Sequence, residues 1–446
     1  MQRLTLLGML VRAAVPAGAA ALLAACGAGS RAPSEPAATD LAAYLDDATA
    51  RRSELTASLV NPANGYSELR LGHYATGADG DWDRLPEWNP VVEPVSMAEL
   101  GAEFDGNMAL SAAASALALP DDPVHADESA LVALGKLAFE RYPIQLAPYF
   151  VGALATSDAA SGYGLWLDAG RGVGGLVRAQ LADGSTSLAL TCSTCHATQG
   201  ANGIENGLPN AALNLGAALI DSGEAAFGSA SLTALEAWGP GRLDVTTTTG
   251  VEPVRIPDLR SIRFQTHLQQ DATLVMLDRT TLAIRIETLA ITSSGQVQRP
   301  PRLVAWALAL YLETLGGALP DESSARAASA HGAEVFAETC VACHRQPALT
   351  GAPVPLAVVG TDPALGLSAD RGTGTYRVPS LHGVSTRGPL LHDASIASLD
   401  DLFDPARVGA DFARRLHGTG AVAGHLFGLD LDPDDRSALL GYLHAL

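Results

Sequence analysis

Four of the five cysteines fall in two copies of one pentapeptide, Cys192-Ser193-Thr194-Cys195-His196 and Cys340-Val341-Ala342-Cys343-His344. On a helical turn the two thiols of a CxxCH motif project from one side, where they add across the two vinyl groups of a haem. The His that follows supplies an axial nitrogen to the iron. A structural zinc site would need ligands converging from both motifs, and a thioredoxin-like pair would not need His after the second Cys in both copies. The motifs therefore imply two covalently attached haem c groups, held by Cys192, Cys195, Cys340 and Cys343, with His196 and His344 as proximal ligands.

The fifth cysteine sits at the end of an address. Arg3 and Arg12 punctuate an apolar run from Leu4 to Ala25 that lacks acidic residues, the pattern of an export signal. Pro16 and Gly18 interrupt it, so it falls short of the roughly 20 apolar residues that cross a bilayer. Leu23-Ala24-Ala25-Cys26 resembles a bacterial lipobox, which makes residues 1–25 a lipoprotein signal peptide and Cys26 the lipidated N-terminus; an ordinary signal peptide with an incidental Cys is the alternative. Residues 26–40, rich in Gly, Ala, Ser and Pro, read as a flexible tether. This places the protein in the bacterial cell envelope, facing the periplasm. It also accounts for every cysteine, so neither a free thiol nor a disulfide is expected.

A formal net charge of -20 gives no footing for nucleic-acid binding. With 48% hydrophobic and 17% charged residues, the chain is not disordered. Its acidic balance favours a basic partner, such as a small cytochrome c.

The second half repeats the first. Pro379-Ser380-Leu381 aligns on Pro257-Asp258-Leu259, and Asp393-Ala394-Ser395 on Asp271-Ala272-Thr273, at one offset of 122 positions. Upstream, Gly332 and Phe336 match Gly135 and Phe139, so the first copy carries an insertion of about 50 residues between Phe139 and Cys192. Downstream, the segment 308–315 matches 439–446, and each half closes with an amphipathic helix. The second of these has Asp432 as N-cap, Pro433 at its first position, and Leu439, Leu440, Leu443 and Leu446 on one stripe. The expected fold is mainly α: two cytochrome c-like haem domains, 128–316 and 321–446, from an internal duplication. Gly316-Gly317-Ala318-Leu319-Pro320 marks the boundary. Residues 41–127, with Trp82, Trp88 and several Pro, read as a loop-rich N-terminal extension.

Tyr376-Arg377-Val378-Pro379-Ser380-Leu381-His382-Gly383-Val384, followed by Pro389-Leu390-Leu391-His392-Asp393, resembles the second-haem domain of bacterial dihaem cytochrome c peroxidases. That superfamily includes MauG-type enzymes and dihaem rubber oxygenases. The resemblance covers about residues 128–446. It is closest in feel to the rubber-oxygenase branch, through Tyr163-Gly164, Gly175-Leu176-Val177-Arg178 and Gly424-His425-Leu426-Phe427-Gly428.

The distal ligand decides what each iron does: two strong protein ligands make a relay, and an open side binds peroxide or dioxygen. No Met lies in the second haem domain. Its candidate distal histidines are His382, His392, His417, His425 and His444. His425, in a Gly-flanked loop before the closing helix, is the first candidate ligand. His392 is the next, although the resemblance implies a polar or propionate contact for it; His417 and His444 read as solvated or helix-end residues. In the first copy His392 maps to Gln270, and the loop of His425 is shortened. The distal side of the first haem is therefore expected to be open, with Met276 and His267 the nearby alternatives. The resemblance also implies a relay Trp before an Asp-Gly pair, where this chain has Gln270, Asp271 and Ala272. That departure argues against ordinary peroxidase activity. Trp238 is either a substitute relay or a core residue, and Glu252 and Glu287 are candidates for the proton transfer that O–O cleavage needs.

Two functions follow. In one, the haem of Cys340 and Cys343 relays electrons while that of Cys192 and Cys195 activates peroxide or dioxygen. In the other, the chain is a non-catalytic dihaem electron-transfer lipoprotein. The insertion and extension exceed what a carrier requires and favour the oxidoreductase.

Overall fold

The computed structural model describes residues 39–101, 109–223, 231–244, 252–317 and 322–446. The signal segment, Cys26, nearly all of the tether and part of the boundary at 318–320 lie outside the described residues. Among those residues, helices dominate and most strands are two to five residues long.

Two helix crossings carry the architecture. The helix Glu128–Arg141 packs across Arg302–Thr314, and Ala330–Thr339 packs across Pro433–His444. Each crossing is possible because a glycine removes the side chain at the contact. A Cβ on Gly135 would stand 1.9 Å from the Ala307 carbonyl oxygen, and one on Gly332 would stand 1.9 Å from that of Ala438. Four residues beyond each glycine a phenylalanine meets a tyrosine: Phe139 and Tyr311 at 5.6 Å, Phe336 and Tyr442 at 5.2 Å between ring centroids. Such pairs contribute about 0.5–1.5 kcal/mol beyond their burial. Arg302–Thr314 is buried on every side from Leu303 to Leu312, so it is an interior helix rather than an amphipathic one. The closing helix does have one buried face, Leu439, Tyr442 and Leu443, and the carboxylate of Asp432 accepts from the backbone N–H of Asp434 and Asp435 at its start.

Between these crossings the backbone recurs at the same 122-residue interval. The 3-10 turn Ile262–Phe264 has its counterpart in Val384–Thr386. Leu268 pairs with Leu274, and Leu390 pairs with Ile396. Inside each pair, two non-glycine residues adopt left-handed backbone: Gln269 and Ala272 at φ 65° and 55°, Leu391 and Ala394 at φ 65° and 58°. Left-handed conformations cost L-residues roughly 1–2 kcal/mol each, so four of them at matched positions mark one loop geometry used twice.

The N-terminal extension departs from the loop-rich reading. It opens with three helices, Thr39–Asp46, Ala48–Ser58 and Gly65–His73. Asp47 and Asn64 cap the second and third through their side chains, an arrangement typically worth about 1 kcal/mol. Leu41, Tyr44 and Leu55 join Val304 and Leu308 in the first core. Beyond the helices, Val92–Pro94 adds a strand to an antiparallel sheet made with Leu176–Gln180, Thr186–Leu190 and Gln145–Leu146. The insertion of the first half and the extension therefore build one wall together, locked by buried Arg178 against Glu93 at 2.7 Å and Glu99 at 3.0 Å.

Candidate functional site

The last strand of that sheet runs straight into the first motif. Thr191 precedes a five-residue helix, Cys192–His196. The hydroxyls of Thr191 and Thr194 both donate to the Gly175 carbonyl, at 2.8 and 3.1 Å. Gly175 has φ 67°, and a Cβ there would fall 2.3 Å from the Ser193 hydroxyl oxygen, so only glycine lets the two segments meet. Cys192 packs against the first core, which Met276 also contacts, and Cys195 packs against a second core containing Phe150, Leu213 and Trp238. Burial pushes both thiols up to about 12. His196 Nδ1 donates to the Pro257 carbonyl at 3.1 Å, which leaves Nε2 with the lone pair needed for a metal. Burial lowers its pKa to about 4, so the ring is neutral at pH 7.

At the second motif Cys340 ends the helix Ala330–Thr339. His344 Nδ1 donates to the Leu349 carbonyl at 3.1 Å, and the Pro379 carbonyl is a second hydrogen-bond partner of the ring. Pro257 and Pro379 are the pair that the repeat aligns. A cavity opens over Cys340, Cys343 and His344, and His425 lines it too. Burial, then the nearby His344, lowers the pKa of His425 to about 4, and its Nδ1 is enclosed without a hydrogen-bond partner. The His425 backbone is left-handed at φ 44°, a strain of about 1–3 kcal/mol that the surroundings must hold.

Arg407 holds it. Fully buried, it donates to the carbonyls of Leu402, Val422, Gly424 and His425 at 2.7, 2.7, 2.9 and 2.7 Å. The His425 N–H donates to the Val359 carbonyl at 2.6 Å. Gly424 allows this approach, since a Cβ would stand 2.2 Å from the Thr361 nitrogen. No motif announces Arg407, because a buried arginine with only carbonyl partners leaves no pattern in the chain.

Arg255 and Arg387, both buried, and the partly buried Arg377 also line the second cavity, and the Nε atoms of Arg255 and Arg377 are enclosed without a hydrogen-bond partner. Two thiols, an oriented neutral imidazole, a facing histidine and an unusual density of buried cations fit a haem with its two carboxylates. The first motif fits through its thiols and its oriented imidazole.

The other candidates disperse. Gln270, expected beside the first motif as the counterpart of His392, instead lines the second cavity, and its Nε2 has no hydrogen-bond partner. The cause is pairing across the halves: the N–H of Arg377 donates to the Gln270 carbonyl at 3.0 Å. His392 lines the same cavity, stacked on Tyr376 with centroids 4.3 Å apart. Glu287 is fully buried in the first core and accepts from the hydroxyls of Tyr44 and Tyr74 at 2.8 and 2.6 Å, with Arg302 at 3.3 Å. These partners give it a structural task, joining the N-terminal extension to the helices around it. Glu252 is half-buried and hydrogen-bonded to Ser368; burial raises its pKa. Trp238 is fully buried, and its carbonyl accepts from Arg242 at 2.7 Å. His267 Nδ1 meets the Thr266 hydroxyl at 3.1 Å. His382 stacks on Phe264 at 4.8 Å. His417, expected to be solvated, lies half-buried against Gly239. His444 is exposed at a helix end, 3.4 Å from Asp400.

No protein-family model matches the sequence, and no curated protein does. Among solved structures, a MauG-like protein associated with microbial copper homeostasis aligns with a TM-score of 0.33 and 18% identity, over 47% of this chain and 78% of that one. A likeness this partial adds no argument, and the two sites stand on their own residues.

Proposed function

We propose that the chain is a dihaem c-type cytochrome of the MauG and cytochrome c peroxidase superfamily, acting as an oxidoreductase in which the second haem relays electrons and the first activates peroxide or dioxygen. The observation that carries the proposal is the cavity over Cys340 and Cys343, which His344 and His425 both line. A haem c at each motif supplies one-electron iron chemistry. Cys192 and Cys195 would hold one, Cys340 and Cys343 the other. The Pro257 carbonyl fixes the ring of His196, and those of Leu349 and Pro379 fix the ring of His344. Arg407 fixes the loop that presents His425. Arg255 and Arg377, which also line the cavity, would take the haem carboxylates.

The matched helix crossings and matched left-handed loops support an internal duplication. A place beside the rubber oxygenases rests on Tyr163-Gly164, Gly175-Leu176-Val177-Arg178 and Gly424-His425-Leu426-Phe427-Gly428. Attachment to a bacterial membrane through Cys26 and a small basic cytochrome c as electron partner belong to the same proposal. Electron paramagnetic resonance of the ferric protein tests it: one low-spin and one high-spin iron are expected. Two low-spin irons, neither responding to cyanide or peroxide in any oxidation state, would make the chain an electron carrier instead.

A further inference from the structure

The two sites are alike in backbone and unlike in charge. At the position after the histidine-binding proline, the first half has Asp258 and the second has Ser380. Seven residues further on the pattern reverses, with neutral Gln265 in the first half and Arg387 in the second. Each half thus contributes one charge where its counterpart has none. The fold brings the two charges together: Arg387 Nε lies 3.5 Å from Asp258 Oδ2, with the side chains 4% and 1% exposed.

Each charge is tied to its own proximal histidine. Asp258 follows Pro257, whose carbonyl accepts from His196 at 3.1 Å. Arg387 donates to the carbonyl of Ser380, the residue after Pro379, and to that of His382. It also lines the second cavity. Asp258 is further held by Arg260 at 2.7 Å. Against the opposing effect of burial, Arg260 and Arg387 keep its carboxyl below the ordinary range, so it is ionised.

Buried charges beside an axial ligand set the reduction potential of a haem. A carboxylate stabilises the ferric state and a guanidinium the ferrous one. We infer that the buried Asp258–Arg387 pair, one charge from each half, sets the two haems apart in potential, with the carboxylate lowering the first and the guanidinium raising the second. This inference rests on the dihaem reading.

The test is a spectroelectrochemical titration of the holoprotein, following the signals of the two irons separately, in the wild type and in Asp258→Asn/Arg387→Gln. The double variant removes both charges together, which avoids the penalty of breaking the pair from one side. The midpoint of the first haem is expected to rise and that of the second to fall. The partition of one electron between the haems should change by at least about tenfold, equivalent to about 59 mV. Arg387→Lys, which keeps the charge, should retain most of the wild-type separation. Loosening of the fold would instead move both midpoints in one direction. Movement in one direction, or none, in a variant that retains two haems by mass overturns the inference and leaves the dihaem reading intact. A wild-type protein carrying fewer than two haems overturns both.

Discussion

Arg407 donates to the carbonyl of His425 at 2.7 Å, and the same guanidinium spans Leu402, Val422 and Gly424. One side chain therefore holds a left-handed histidine on the wall of the second cavity. Arg407→Met should leave four carbonyls without their donor, and a buried orphan acceptor costs about 1–3 kcal/mol. A substantial fall in the unfolding midpoint is expected, together with partial conversion of one iron from low to high spin. Arg407→Lys should rescue little, because an ammonium cannot span four acceptors in a fork. Unchanged spin state in a folded Arg407→Met protein would show that the loop holds its shape without the latch.

His425→Ala removes the facing imidazole itself. One iron should become high-spin while the other spectrum stays constant. If both spectra persist, the ligand lies elsewhere, and His392, already at the cavity wall, is the residue to substitute next.

Gly135→Ala and Gly332→Ala test the matched crossings. Each new Cβ would meet a carbonyl oxygen at 1.9 Å, and overpacking of this kind costs typically about 1–3 kcal/mol, occasionally more. Both variants should lower the denaturation midpoint. A loss below about 0.5 kcal/mol in either would mean that its helix pair separates easily.

His331 Nε2 lies 2.6 Å from Asp435, joining the two helices of the second crossing at the surface. The Asp435 contact raises the His331 pKa above its ordinary 6.5. Stability from this pair is fully present below about pH 6.5 and is lost as pH rises through the higher folded-state value. His331→Gln should therefore be less stable than wild type in mildly acidic buffer and equal to it in alkaline buffer, with the gap shrinking as salt is added. A pH-independent gap would assign the effect to packing.

Part of this is legible in the sequence alone. CxxCH is a local pattern, so the proposed attachment residues needed only the chain itself. The repeat register predicted that Pro257 and Pro379 correspond, and both carbonyls bind the histidine of a CxxCH motif. Asp432 and Pro433 announced the closing helix. Gln270 was misplaced because its position depends on a backbone bond to Arg377 in the other half, which no single-chain pattern encodes. The extension read as loop because its Trp and Pro residues cluster near 82–94, while the caps Asp47 and Asn64 lie upstream. Glu287 looked available for proton transfer until Tyr44 and Tyr74, more than 200 positions away, closed around it.

Mass spectrometry of the intact protein under denaturing conditions tests the central claim most directly. Covalent attachment at Cys192, Cys195, Cys340 and Cys343 predicts that the unfolded chain retains the mass of two haems. It also predicts that Cys192→Ala/Cys195→Ala and Cys340→Ala/Cys343→Ala each retain one. A denatured chain with the mass of the polypeptide alone would contradict the account.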